Sequence, residues 1–100
     1  MLDLRTAQKL VEQEVNRSYT IDGDELVVLE EDTIEKEYGW IFFYSSRRFI
    51  ETRDPNYLLA GNAPIVVNRQ TGKLTWLGTA EPLENYVRKY EESIMSDPKV

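Results

Sequence analysis

Apolar residues recur at helical spacing at both ends of the chain and at strand spacing between them. Leu4, Ala7, Leu10, Val11 and Val15 share one face of a helix, with Arg5, Lys9, Glu12 and Arg17 on the wet side. Asp3 stands where an N-cap is wanted, and Leu2 with Ala7 has the spacing of a hydrophobic staple. The helix is expected to fade by Arg17 to Tyr19, ahead of the turn cluster Thr20 to Asp24. Residues 25–30, ELVVLE, read as a strand, and Glu31 to Glu37 as a charged hairpin loop. Residues 39–45, GWIFFYS, form the strongest strand pattern, with Trp40, Phe42 and Tyr44 pointing one way and Ile41 and Phe43 the other. Residues 46–51 are read as its wetter continuation. Asp54-Pro55-Asn56 opens a short helical turn with Tyr57, Leu58 and Leu59 on its apolar side. Gly61-Asn62 stops that turn and Pro64 forbids its continuation. A hairpin follows: strand 64–68, a turn with Gly72 at the position that favours positive φ, and return strand 74–78. Thr79 or Glu81 is expected to cap a last helix with Pro82 in its first turn and a stripe of Leu83, Tyr86, Val87, Tyr90 and Ile94.

This order predicts an α+β fold: a four-stranded, mostly antiparallel sheet with the N- and C-terminal helices packed on one face and a short helical turn before the third strand. There is no βαβ alternation and no G-x-G-x-x-G, which argues against a parallel nucleotide-binding sheet. One feature sits badly with that layout. All four strands carry apolar residues on both faces, as in Leu26 and Val27, Phe42 and Phe43, Ile65 and Val66, Trp76 and Leu77. A sheet covered on one side reads apolar-in and polar-out. Either residues 46–63 fold over the second face, or the sheet curls strongly, or part of that face meets a partner or a second copy.

Composition narrows the chemistry. The 100 residues suit one domain, placed at 1–95 with a polar tail at 96–100. The chain has no cysteine and no histidine, so disulfides, thiolate nucleophiles and the usual general base are all missing. An enzyme is therefore not expected, nor a cofactor or a metal. MLDLRTAQKL lacks the apolar core of a signal peptide, and the longest apolar run, Trp40 to Tyr44, cannot span a bilayer; the cytoplasm is the expected location. The net charge is −6, with eleven acids against six bases in residues 1–50. Most of the surplus lies in Asp22, Asp24, Glu25, Glu30, Glu31, Asp32, Glu35 and Glu37, with Lys36 the one base among them. Such a chain is a poor nucleic-acid binder and suits a basic protein surface.

Candidate sites reduce mostly to structure. Glu30, Glu31 and Asp32 could serve acid–base or divalent-cation chemistry, but they do not follow the D-x-D-x-D-G calcium spacing and read first as a solvated hairpin. Arg47, Arg48 and Arg53 could hold an anion, but read first as pairing with the acid-rich hairpin or facing water. Ser45-Ser46 has no histidine to activate it. Gly61-Asn62 lacks the lysine and glycine spacing of a phosphate loop. Trp40 and Trp76 suit either a core or an interface.

Residues 58–92, LLAGNAPIVVNRQTGKLTWLGTAEPLENYVRKYEE, carry a more specific signal. Leu59-Ala60-Gly61-Asn62, Pro64, the Thr71-Gly72 turn, Gly78-Thr79 and Pro82-Leu83-Glu84 with Tyr86 closely resemble the immunity protein 35 (YrhB-like) family. The aromatic strand GWIFFYSSRRFIET and the first helix are similar to it too. The resemblance implies a bacterial immunity protein of polymorphic toxin systems, which binds and neutralises a cognate toxin domain; one branch is linked to chaperone-like activity. It implies no catalytic residues. Gly61, Asn62, Pro64, Gly72 and Gly78 are expected to mark the fold. Glu31, Asp32, Glu35 and Glu37 are expected to steer a cationic toxin, with Trp40 as the anchor beside them. The competing expectation is a holdase or scaffold that uses a spare apolar sheet face, and a homodimer is compatible with either.

Overall fold

The computed structural model describes residues 1–57 and 63–95. Its first helix, α1 (Leu4–Asn16), starts where Asp3 accepts a hydrogen bond from the Thr6 N–H at 2.8 Å. Ala7, Val11 and Val15 are buried at four-residue spacing, while Leu4, at the open end of the stripe, is 46% exposed. Glu12 departs from the expected wet side. Its carboxylate accepts the Val28 N–H at 3.0 Å, and Asn16 accepts the Leu26 N–H and donates to the Leu26 carbonyl, both at 2.8 Å. Polar groups of α1 thus satisfy the outer edge of β1 (Leu26–Val28), which on its other side pairs with β4 (Tyr44–Ser46).

The α+β class holds, and the strand pairings are antiparallel, but the sheet is divided differently from expectation. Residues 39–45 do not form one strand. They break at Phe43 into β3 (Gly39–Phe42) and β4, so the first half enters a four-stranded sheet and the second half forms the ribbon with β1. The four-stranded sheet has the order β2-β3-β5-β6, with β2 (Ile34–Lys36), β5 (Ile65–Asn68) and β6 (Leu74–Trp76). β2 lies in the stretch expected as a charged loop. Ile34 faces Ile41, and the flanking charges are tolerated because this strand is an edge. Residues 46–51, expected to prolong the strand, turn instead into α2 (Arg47–Thr52). The buried Ser46 hydroxyl accepts the Phe49 N–H at 3.2 Å and caps it. The helical turn at Asp54-Pro55 is a single 3-10 turn, Pro55–Tyr57, and Asp54 accepts the Asn56 N–H. Gly61 and Asn62, expected to end it, lie outside the described residues. In the hairpin Gly72 has φ 74°, as the turn requires.

The two terminal helices lie on opposite faces of the four-stranded sheet, which corrects the one-face expectation. On one face Trp40, Phe42, Ile65 and Val67 pack against Ala7, Val11 and Val15 of α1 and against Leu26, Val28 and Tyr44 of the ribbon. On the other, Ile41, Val66 and Leu77 lie with Ile34, Tyr38 and Phe43 beneath Leu83, Tyr86, Val87 and Tyr90 of α3 (Leu83–Met95). The surplus of apolar positions on both strand faces is therefore the mark of a sheet sandwiched between helices.

The second cover is fixed by specific contacts. Tyr38 donates to Glu91 at 2.9 Å, and its ring meets Tyr90 at 5.3 Å between centroids. Burial and the Glu91 carboxylate both push the Tyr38 phenol pKa up. The Tyr86 ring lies where a side chain on Gly78 would be, within 2.4 Å of a Cβ at that position. The Tyr86 hydroxyl accepts the N–H groups of Ala80 and Glu81 at 3.1 and 3.2 Å. α3 begins directly after Pro82, and Glu81, expected as a cap, instead pairs with Lys89 at 3.3 Å.

Candidate partner-binding surface

The acidic residues line one border of the molecule. After β1, the Leu29 N–H donates to the Phe43 carbonyl at 2.8 Å, and the chain then makes a 3-10 turn, Glu30–Asp32. All three acids of the turn are exposed. Glu30 accepts from Gln8 at 2.9 Å, whereas Glu31 and Asp32 have no side-chain partner among the described residues. Glu35 follows on edge strand β2 and pairs with Arg69 at 3.2 Å. Glu37 sits in the turn to β3, with its side chain exposed and its carbonyl accepting Arg69 Nε at 3.2 Å. The four expected steering acids thus occupy consecutive stations along the 3-10 turn and the β2 edge.

Trp40 is not available as their anchor. It is 2% exposed, because its place on β3 puts it on the face that α1 covers. Arg69 closes over it, with its guanidinium 4.4 Å from the ring centroid. Arg69 is a residue that pattern reading missed. It also donates to the Lys36 carbonyl at 2.8 Å, and its own carbonyl accepts the Leu2 N–H at 2.9 Å. One side chain therefore ties the β2–β3 turn to the β5–β6 hairpin. Nothing in its local sequence announces that role, since its partners lie more than thirty residues away.

What stands beside the acids is a groove of about 570 Å³ between the 3-10 turn and α2. Glu30, Glu31 and Asp32 form one rim, Leu29, Phe49 and Ile50 give it an apolar lining, and Arg53 stands opposite. Ile50 is 36% exposed. Arg53 ends α2 in the left-handed conformation, φ 59°, with its guanidinium 5.6 Å from the Phe49 ring. Phe49 and Ile50 were hidden because α2 itself was read as strand.

The other arginines are engaged elsewhere, and not with the acid-rich hairpin. Arg47 pairs with Glu25 at 3.5 Å and Glu51 at 3.2 Å, and donates to the Gly23 carbonyl. Arg48 donates to the same carbonyl and to the Tyr57 hydroxyl at 3.1 Å. Beside them Asp24 collects Ser46 Oγ, Tyr19 Oη at 2.8 Å and the Arg48 N–H at 3.0 Å. Burial alone would raise its pKa; these donors outweigh it and hold the carboxyl well below the ordinary range. The Tyr19 phenol, partly buried and bonded to that carboxylate, has its pKa pushed up. Asp24 therefore pins the end of α1 to the start of α2 as a structural hub. Among the described residues no three acidic side chains converge to hold a metal ion. On the acidic border the Glu31 and Asp32 carboxylates stand next to partly exposed apolar side chains.

Residues 5–89 match the immunity protein 35 family. The chain belongs to that family. A protein of Escherichia coli (strain K12), described as uncharacterized protein YrhB, is 47% identical over 53 residues. That stretch is 53% of this chain and 56% of the E. coli protein, so the likeness spans little more than half of either. No solved structure matches. For this immunity protein 35 member the family name implies immunity. The motif positions that lie within the described residues have structural work. The Pro64 carbonyl accepts the Leu77 N–H at 2.8 Å at the start of β5, Gly72 turns the hairpin, and Gly78 makes room for Tyr86.

Proposed function

We propose that this protein neutralises a cognate bacterial toxin in the cytoplasm of the producing cell by stoichiometric binding, without catalysis, at its acidic border. The observation that carries the reading is the exposed row Glu31, Asp32, Glu35 and Glu37, whose first two members line the Leu29–Phe49–Ile50 groove, in a chain of the immunity protein 35 family. Exposed carboxylates raise the encounter rate of a cationic surface, and the partly exposed apolar lining gives an arriving side chain somewhere to desolvate. With Trp40 in the core, the anchor is supplied by the toxin and the pocket by this protein. A stable complex needs about 1,200–2,000 Å² of buried surface, so the border and groove act together.

The acidic surface disfavours nucleic acid. Among the described residues no helix is long and apolar enough to cross a membrane. The holdase or scaffold alternative needed a spare apolar sheet face, and α3 occupies it. Co-expression with the toxin encoded beside the gene tests the reading. Cells survive with the wild-type protein and die with Glu31, Asp32, Glu35 and Glu37 all changed to Lys. Equal killing with and without the wild-type protein defeats the proposal.

A further inference from the structure

The opposite border of the four-stranded sheet has the reverse character. Strand β6 is Leu74-Thr75-Trp76, without charge, proline or bulge, and Trp76 is 50% exposed. Charges, proline, bulges and shortness protect natural edges; β6 has only its three-residue length and the flanking Lys73, and its unpaired backbone groups remain a template for pairing. The direction of its free groups follows from the hairpin. Leu77 donates to the Pro64 carbonyl, Asn68 donates to the Lys73 carbonyl, and Val66 stands opposite Thr75. Antiparallel pairs alternate between bonded and non-bonded, so Lys73, Thr75 and Leu77 turn their backbone groups toward β5. The N–H and C=O of Leu74 and Trp76 therefore point outward, and neither has a partner among the described residues.

We propose that β6 pairs with β6 of a second copy of this chain, antiparallel about a twofold axis through Thr75. In that register each Leu74 lies opposite the second copy's Trp76, and both outward N–H and C=O groups of each pair are satisfied. The same register sets an exposed Trp76 beside a Leu74 on the face where Leu74 already packs with the α1 cluster. Thr75 meets its twin at the close, non-bonded position, where threonine pairs are favourable.

Charge selects this edge over the other. A second copy approaching β2 meets Glu35 with Glu31, Asp32 and Glu37 on both sides, and like charges facing each other are repelled. At β6 the nearest charges are Lys73 and the mutually paired Lys89 and Glu81. Pairing there places the two acidic borders at opposite ends of the dimer, free for other partners. The inference stands on the strand edge alone and does not rest on the toxin reading. Three residues per strand make a small contact, so the dimer is a weak one that forms as concentration rises.

The absence of cysteine makes the test clean, because Thr75→Cys introduces a unique thiol. Non-bonded antiparallel positions bring Cα atoms to ~4.5 Å, within reach of a disulfide. Under mild oxidation Thr75→Cys is expected to form a covalent dimer at least about tenfold faster than Glu37→Cys, the gain from holding two thiols side by side. Light scattering of the wild type should show the mass rising from 11.7 kDa toward twice that value with concentration, while Trp76→Lys, folded by circular dichroism, stays monomeric. Equal oxidation rates for the two cysteine variants overturn the proposal. So does a wild type that is monomeric at every concentration, or a dimer that survives Trp76→Lys.

Discussion

The two faces of the four-stranded sheet are both covered by helices, but they are held by different means. The α1 face is a dry core: ten buried residues form one cluster there among the described residues, including Phe42, Ile65 and Val67 at zero exposure. The α3 face has three buried residues, Ile41, Val66 and Leu77, under a helix none of whose described residues is fully buried. It compensates with directional contacts, Tyr38 to Glu91 and Tyr86 over Gly78. Burial is non-directional and scales with area, whereas a hydrogen bond or a ring seated on a glycine fixes position. The first face supplies most of the stability and the second fixes where α3 sits. With both faces covered by helices, the proposed partner contacts fall on the borders of the sheet.

That contrast can be broken by substitution. Phe42→Ala on the α1 face should cost about 3–5 kcal/mol in a denaturant titration, the range for removing a fully buried aromatic side chain. Gly78→Ala drives a methyl into the Tyr86 ring and should cost about 1–3 kcal/mol. It should also raise hydrophobic-dye binding, as α3 lifts from Ile41 and Val66. Equal losses for the two variants would erase the distinction between the faces.

Asp24→Asn sharpens the picture at the end of α1. Its carboxyl has a folded pKa below the ordinary 3.8, so its stabilisation is fully present above that value and drains away as pH falls toward the folded pKa. The variant should lose about 1–2 kcal/mol at neutral pH and show a flatter decline of stability below pH ~4 than the wild type. Parallel acid limbs would remove Asp24 as the hub. The smallest effect is expected from Tyr38→Phe, which keeps the ring contact with Tyr90 and loses the bond to Glu91, about 1 kcal/mol in the same titration.

Much of this arrangement could be read from residue pattern, and the failures have physical reasons. The stripes of α1 and α3, the Asp3 cap and the Gly72 hairpin are local, and they stand where periodicity put them. The two-sided apolar strands correctly signalled burial on both faces, but alternation says nothing about which element does the covering. β2 escaped because one isoleucine among glutamates looks like a loop unless its partner strand is known. α2 escaped because Ser46 ends a strand and caps a helix at once. Trp40 was misplaced because an aromatic residue on a strand looks the same in a core and in an interface; only the sheet register decides. The acids of the border were plain in the composition. The groove beside them was not, because Phe49 and Ile50 reach it only through α2.

The proposed toxin contact lies at the acidic border and not on either sheet face. Association kinetics with the cognate toxin, measured across ionic strength, test it most directly. Changing Glu31, Asp32, Glu35 and Glu37 to Lys is expected to slow association at least about tenfold at low salt and to flatten its salt dependence, with unfolding stability within about 1 kcal/mol of the wild type. Association that stays as fast, with the same salt slope, would contradict it.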